Sequence, residues 1–327
     1  MRNLKNVMAV VNEPGFHQRL LDDNKRSVTF YNEELGFGDL KRVLAANRRM
    51  GADEVFRLCD LFFTEDRIQR IVAEERSCAE RNPFYGSSFQ PISADFFGGI
   101  VLVSTDEFTA MLLALDGFEI ELAKQRPAGE RRTLTFGGQE TFLKFYKARD
   151  FSLQAWRMPR FTDNDDLVRL DLRYDKGEAF NCQTGDVLRF GAEEAFEYTA
   201  KLGAHALVLQ VQMHSGGLPM ALEFDADTRR LVGASSPSQE PTRLQMLATA
   251  MRMFERQDAT EQMERLLEHP SHYVRWHAMR EFLGLSPQLA WPHLLRMRDE
   301  DPQPAVRRAA MRTVEHLGGE PLAVAAE

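Results

Sequence analysis

The sequence predicts an α+β chain of more than one domain: N-terminal helices, a central antiparallel β-sandwich or barrel, and a C-terminal α-solenoid. Three observations predict it. Up to about Arg81 the apolar residues recur at helical spacing, and from Gly98 to Phe224 the period drops to two in short runs. After the Ser/Pro-rich stretch ASSPSQEP, Ala234 to Pro241, helical spacing returns with self-similarity at 32 residues. A length of 327 residues suits this division into 1–90 (mostly helical), 91–233 (antiparallel β) and 241–327 (helical repeats).

Composition narrows the function classes. A hydrophobic share of 43% and a charged share of 28% are those of a globular chain, which sets disorder and fibrous classes aside. The formal net charge of −8 works against non-specific nucleic-acid binding, which needs an electropositive field. The three cysteines, Cys59, Cys78 and Cys182, are widely spaced without a CxxC pair, so a reducing cytoplasm, here a bacterial one, is expected. The apolar run Val7 to Val11 is too short for a signal segment, and no stretch approaches the roughly 18 apolar residues of a membrane helix.

In the first region Asp39 can cap a helix carrying Leu40, Val43 and Leu44, and Gly51 breaks it. Val55, Phe56, Leu58, Cys59, Phe62 and Phe63 form the next apolar face. Thr64, followed by Glu65 and Asp66, starts a third helix with Ile68, Ile71 and Val72. The two helices around Gly51, with Lys41, Arg42, Arg48 and Arg49, can also be read as a helix-turn-helix. Asp53 and Glu54 then stand where phosphate would lie, which weakens a nucleic-acid role.

Asn82 to Pro91 is rich in turn formers and reads as a connection. Beyond it GGIVLVS, FTAMLLAL, GFEIELAK, RRTLTF, TFLKFYKA, SLQAWRM, LVRLDLR, DVLRF, HALVLQVQ and PMALEF read as strands, rich in β-branched and aromatic residues. No helical crossover separates them, hence the antiparallel arrangement. The stretch from Gly177 to Gln212, with its Gly-Asp turn leading into a strand, resembles a cupin-type β-barrel. Metal-binding cupins carry two histidines one residue apart with a glutamate soon after, and no HxH occurs here. The resemblance therefore implies a metal-free barrel with no cofactor. A ligand in its mouth would meet Trp156, Arg157, Tyr174, Cys182, His205 and His214. No catalytic residue is assigned: GxSxG, Walker and HExxH patterns are missing, and Gly36-Phe37-Gly38 lacks the third glycine of a dinucleotide site.

In the last region HPSHYVRWHAMREFLG, His269 to Gly284, aligns with DPQPAVRRAAMRTVEHL, which begins at Asp301. Pro270 then matches Pro302, Val274 Val306, Arg275 Arg307, Ala278 Ala310, Met279 Met311 and Arg280 Arg312. The second copy resembles the second-helix motif of HEAT repeats. Proline suits a first helical turn, and Val274, Ala278 and Phe282 form one stripe. His272 and His277 fall on different faces, and their counterparts are Pro304 and Ala309, so packing rather than metal binding is expected of them. As binding surfaces, such repeats would present Arg275, Trp276, Arg280, Arg307, Arg308 and Arg312 to a partner protein or peptide.

The function expected on these grounds is a non-enzymatic adaptor or regulator. Its β domain would recognise a small molecule or peptide while the repeats dock a partner protein, with no membrane and no nucleic acid involved. One alternative is a metal-independent cupin-like enzyme acting on a small natural-product or sugar-like substrate. A ligand-responsive DNA-binding regulator is the second.

Overall fold

Helical spacing in the first region folds as expected, with the breaks where glycine and threonine place them. The computed structural model describes residues 14–47, 49–82, 84–94, 96–124, 132–162, 165, 171–214, 216–236 and 239–318. Helix α1 is Phe16–Thr29, extended by a π turn over Phe30–Glu34; α2 is Phe37–Ala46, α3 Ala52–Phe62 and α4 Glu65–Arg81. Helix α2 starts before Asp39, from Gly36 at φ 75°. At the head of α3 the Glu54 carboxylate accepts from the Gly51 amide at 3.0 Å, and Thr64 Oγ1 accepts from the Arg67 amide at 3.3 Å to cap α4.

Alternating β-branched and aromatic residues build two antiparallel sheets. The strands are β1 Gln90–Ala94, β2 Phe97–Ser104, β3 Phe108–Asp116, β4 Thr133–Phe136, β5 Thr141–Arg157, β6 Asp175–Cys182, β7 Val187–Phe190, β8 Glu194–Met213, β9 Ala221–Asp225 and β10 Leu231–Ser235. The larger sheet runs β1-β2-β3-β8-β5-β6, with β7 also on β5; the smaller runs β10-β9-β4. Its spine is the β5–β8 pair, in register from Thr141 opposite Gln212 to Arg157 opposite Glu194.

Period two gives this spine two apolar faces. On one, Phe142, Tyr146, Leu209 and Val211 share a core with Phe37, Val55, Phe56 and Ile71 of the N-terminal helices. Leu143, Phe145, Phe151 and Val208 line the other, against Phe190 and Cys182. The smaller sheet closes a further core around Phe136, Tyr174 and Phe224.

Several strand assignments need correction. GFEIELAK is helix α5, Gly117–Lys124. Asp116 Oδ1 accepts from the Phe118 amide at 2.8 Å and starts the turn, and a Cβ on Gly117 would stand 2.5 Å from the Lys201 carbonyl oxygen. TFLKFYKA and SLQAWRM are one strand, and β8 extends HALVLQVQ backwards to 20 residues. Strand β1 lies partly inside the expected connection, and β6 and β10 are additional. Most of LVRLDLR lies outside the described residues, and Asp171 to Tyr174 forms no strand.

The C-terminal region holds α6 Gln239–Met253, α7 Thr260–Leu266, α8 His272–Leu285, α9 Pro287–Glu300 and α10 Pro304–His316. Val274, Ala278 and Phe282 are all buried, and Ala278 and Phe282 pack with Leu294 and Ala310. Tyr273 of α8 packs on the core around Phe224, and its hydroxyl hydrogen-bonds Ser236 Oγ at 3.2 Å, so these helices rest on the β region. Among the described residues no helix is long and apolar enough to cross a membrane.

Candidate functional site

The spine is interrupted at one place, on both strands. On β5 Arg149 faces His205 and Phe151 faces Ala200, so Lys201 to Ala204 loop out of β8 opposite the single residue Asp150. Both strands take left-handed backbone there, Asp150 at φ 52° and Gly203 at φ 82°. Glycine enters this region freely; an aspartate held there stores strain, and such strain gathers at working sites.

The double bend opens a cavity of about 450 Å³ between β5, β6 and β8. Asn181, Ser152 and Thr199 face each other across the three strands, and Ser152 Oγ donates to Asn181 Oδ1 at 3.1 Å. Asp150, Gln183 and Lys201 complete a polar rim, while the adjoining row of Cys182, Phe151 and Ala200 borders the cavity and turns its side chains to the opposite face, into the buried core.

Behind that row stands Tyr198. Its ring lies 5.4 Å from Phe151, 5.5 Å from Phe196 and 6.4 Å from Phe96. Its hydroxyl oxygen is buried and has no hydrogen-bond partner among the described residues. Burial, reinforced by the Cys182 thiol, raises the Tyr198 pKa well above the ordinary phenol value, so the group is a neutral donor. Burial, with Asp186 adding to it, pushes the Cys182 thiol up to about 11. A thiol so protonated is a wall and not a nucleophile at neutral pH.

Of the six barrel residues expected to meet a ligand, Cys182 lines this cavity and the others stand elsewhere. Trp156 donates through Nε1 to Glu197 Oε2 at 2.9 Å, and its ring meets Tyr174 edge-on at 5.4 Å. Arg132 holds the other Glu197 oxygen at 2.8 Å, and the Tyr174 hydroxyl donates to the Ala226 carbonyl at 3.3 Å. Arg157 is ion-paired with Glu194 at 2.7 Å. His205 sits in the sheet between Asp116 and Arg149, and His214 bonds Thr109 Oγ1 at 3.0 Å at the other end of the β3–β8 pairing.

Sequence reasoning passed over Asp150, Ser152, Asn181, Thr199 and Lys201. The available signal was Gly203 inside a period-two run, which marks a bulge.

Among the residues expected to face a partner, Arg275 is buried and Trp276 is half-buried against the C-terminal core. Arg280 and Arg312 are exposed, and Arg307 and Arg308 are half-buried. Two histidines of this region are engaged locally: His277 Nε2 meets Thr249 Oγ1 at 2.9 Å, and His269 Nδ1 accepts from the Ser271 amide at 3.0 Å. Around Gly51, Leu40, Val55 and Phe56 are turned into the sheet core, and Asp53 pairs with Arg189 at 2.9 Å.

No protein-family profile matches the chain, nor does any curated protein sequence. Solved structures similar to it match over the β region. Hydroxypropylphosphonic acid epoxidase from S. wedmorenis is 12% identical over 38% of this chain and 55% of its own, at a TM-score of 0.23. Oxalate decarboxylase from Lactobacillus farciminis is 11% identical over 38% of this chain and 30% of its own, TM-score 0.24. HEPD from Streptomyces albus, with 2-hydroxyethylphosphonate and Fe(II) bound, is 14% identical over 41% and 25%, TM-score 0.25. The chain thus spans about half of the epoxidase and less of the other two.

At these scores no neighbour's substrate or metal transfers to this chain. Among the described residues no three His, Cys, Asp or Glu side chains converge as metal ligands. One expectation is corrected: the non-enzymatic adaptor reading is withdrawn, because what resembles the β region is a set that includes an epoxidase and a decarboxylase.

Proposed function

We propose that the β domain is an enzyme acting on a small, polyhydroxylated, sugar-like substrate at the cavity where β5 and β8 bend. The observation that carries this reading is the polar row of Asn181, Ser152 and Thr199 beside Asp150 and Lys201. Hydroxyl and amide groups arrayed across strands match a ligand bearing several hydroxyls. A volume of about 450 Å³ also suits a molecule of that size. Asp150 is the group able to accept a proton at the rim, Lys201 fixes negative charge, and Ser152, Asn181 and Thr199 orient the substrate. Tyr198 is the neutral donor behind the polar row.

The test is incubation of the purified chain with a panel of monosaccharides, disaccharides and sugar acids, read by mass spectrometry and by ligand-observed NMR. Turnover of at least one member, lost in Asp150→Asn and weakened in Ser152→Ala/Asn181→Ala, is expected. Binding or turnover that both variants retain in full would sink the assignment.

A further inference from the structure

Arg275 and Arg307 occupy equivalent places, each five residues after a proline that precedes a helix. The structure gives them the same anchorage. Arg275 Nη1 donates to the carbonyls of His269 and Pro270 at 2.9 and 2.8 Å; Arg307 Nη1 donates to those of Asp301 and Pro302 at 2.5 and 3.2 Å. Each guanidinium is therefore set in orientation by its own turn.

What differs is the other edge. Arg275 uses Nε and Nη2 to grip both oxygens of Asp301, at 2.9 and 2.8 Å. That Asp301 precedes the proline of the following copy and lies between α9 and α10. Arg307, on the last described helix, has no carboxylate partner among the described residues.

We propose that the Nε/Nη2 edge of Arg307 is a carboxylate-binding site that docks an acidic residue preceding a proline at a helix start in a partner protein. The occupied copy supplies the chemistry: a planar guanidinium, held from behind, takes two carboxylate oxygens in parallel. The next turn of α10 adds exposed Met311 and Arg312, so the surroundings are apolar and cationic, the complement of an acidic helix start. This site is independent of the β-domain cavity.

The probe is a labelled peptide copying residues 287–316, which carries the Asp301 that Arg275 accepts, titrated into the full chain by fluorescence anisotropy. Saturable binding is expected. Arg307→Ala, and Arg307→Lys with the charge kept, should each weaken it about 10-fold or more, the size of a charge-assisted hydrogen-bond loss. An Asp301→Asn peptide should lose the same factor against the parent chain and nothing further against Arg307→Ala. Circular dichroism confirms that the variants are folded. Absence of saturable binding, or equal affinity for Arg307→Ala, overturns the proposal. So does tighter binding by a chain ended after Gly318, which would make the chain's own tail the occupant.

Discussion

Arg275 and Asp301 form a buried, two-pronged ion pair, each less than a tenth exposed, that ties the head of α8 to the turn before α10. Asp301 Oδ1 also accepts from the Gln303 amide at 2.8 Å, so one carboxylate closes both the pair and the turn. Removing one partner leaves the other charged and dry. Asp301→Ala is expected to cost about 3 to 5 kcal/mol in urea unfolding, and Arg275→Met combined with Asp301→Leu should recover much of it. A single-variant loss below about 1 kcal/mol would show that water reaches the site.

Tyr31 donates to Glu75 Oε1 at 2.6 Å and so pins the π turn after α1 to α4, and Tyr85 donates to the same oxygen at 3.1 Å. Burial first, then the hydrogen bond and charge of Glu75, raise the Tyr31 pKa far above its ordinary value. A raised folded pKa means that this stability is present in full below about pH 10, the unfolded value, and drains away above it. Tyr31→Phe is expected to cost about 1.5 to 3 kcal/mol at neutral pH, as for a hydrogen bond to a charged acceptor. The gap between parent and variant should then narrow between pH 10 and 12 in denaturant titrations. A gap that stays constant with pH would mean the hydroxyl contributes nothing through its proton.

How much of this was legible depended on whether the signal was local. Thr64 as a cap, Gly51 as a break and the Val274–Ala278–Phe282 stripe each follow from a few neighbouring residues, and the structure has them. Phe118 to Leu122 reads as alternating, yet it folds as helix because Asp116 caps it and Gly117 must approach the Lys201 carbonyl. That contact joins residues far apart in sequence, and no period announces it. The cavity was hidden for the same reason: Asn181, Ser152 and Thr199 become neighbours only through strand register. Cys182 was singled out, whereas the polar residues beside it looked like ordinary solvent-facing positions.

The thiols offer a chemical check on the core. Burial pushes Cys59 up to about 12, and burial followed by Asp186 pushes Cys182 up to about 11. At pH 8 the Cys182 thiolate fraction is then about 100-fold lower than for a thiol at the ordinary value of 9.0. A chain retaining Cys182 as its one cysteine should label with iodoacetamide about 100-fold more slowly folded than in urea. Comparable rates in the two states would mean that the core beneath β6 is open.

Asp150 separates stability from function most directly. Its backbone lies at φ 52°, where glycine is at ease and other residues are strained. Asp150→Gly should relieve that strain and raise stability by about 0.5 to 1 kcal/mol, set against the glycine's greater unfolded freedom. Asp150→Asn tolerates the same backbone and changes only the charge, so its stability should stay within about 0.5 kcal/mol of the parent. If the carboxylate works at the cavity rim, both variants lose turnover, one while becoming more stable and the other with stability unchanged. A residue kept for the bend alone would behave otherwise: both variants would stay active, and the strain would have no chemical role.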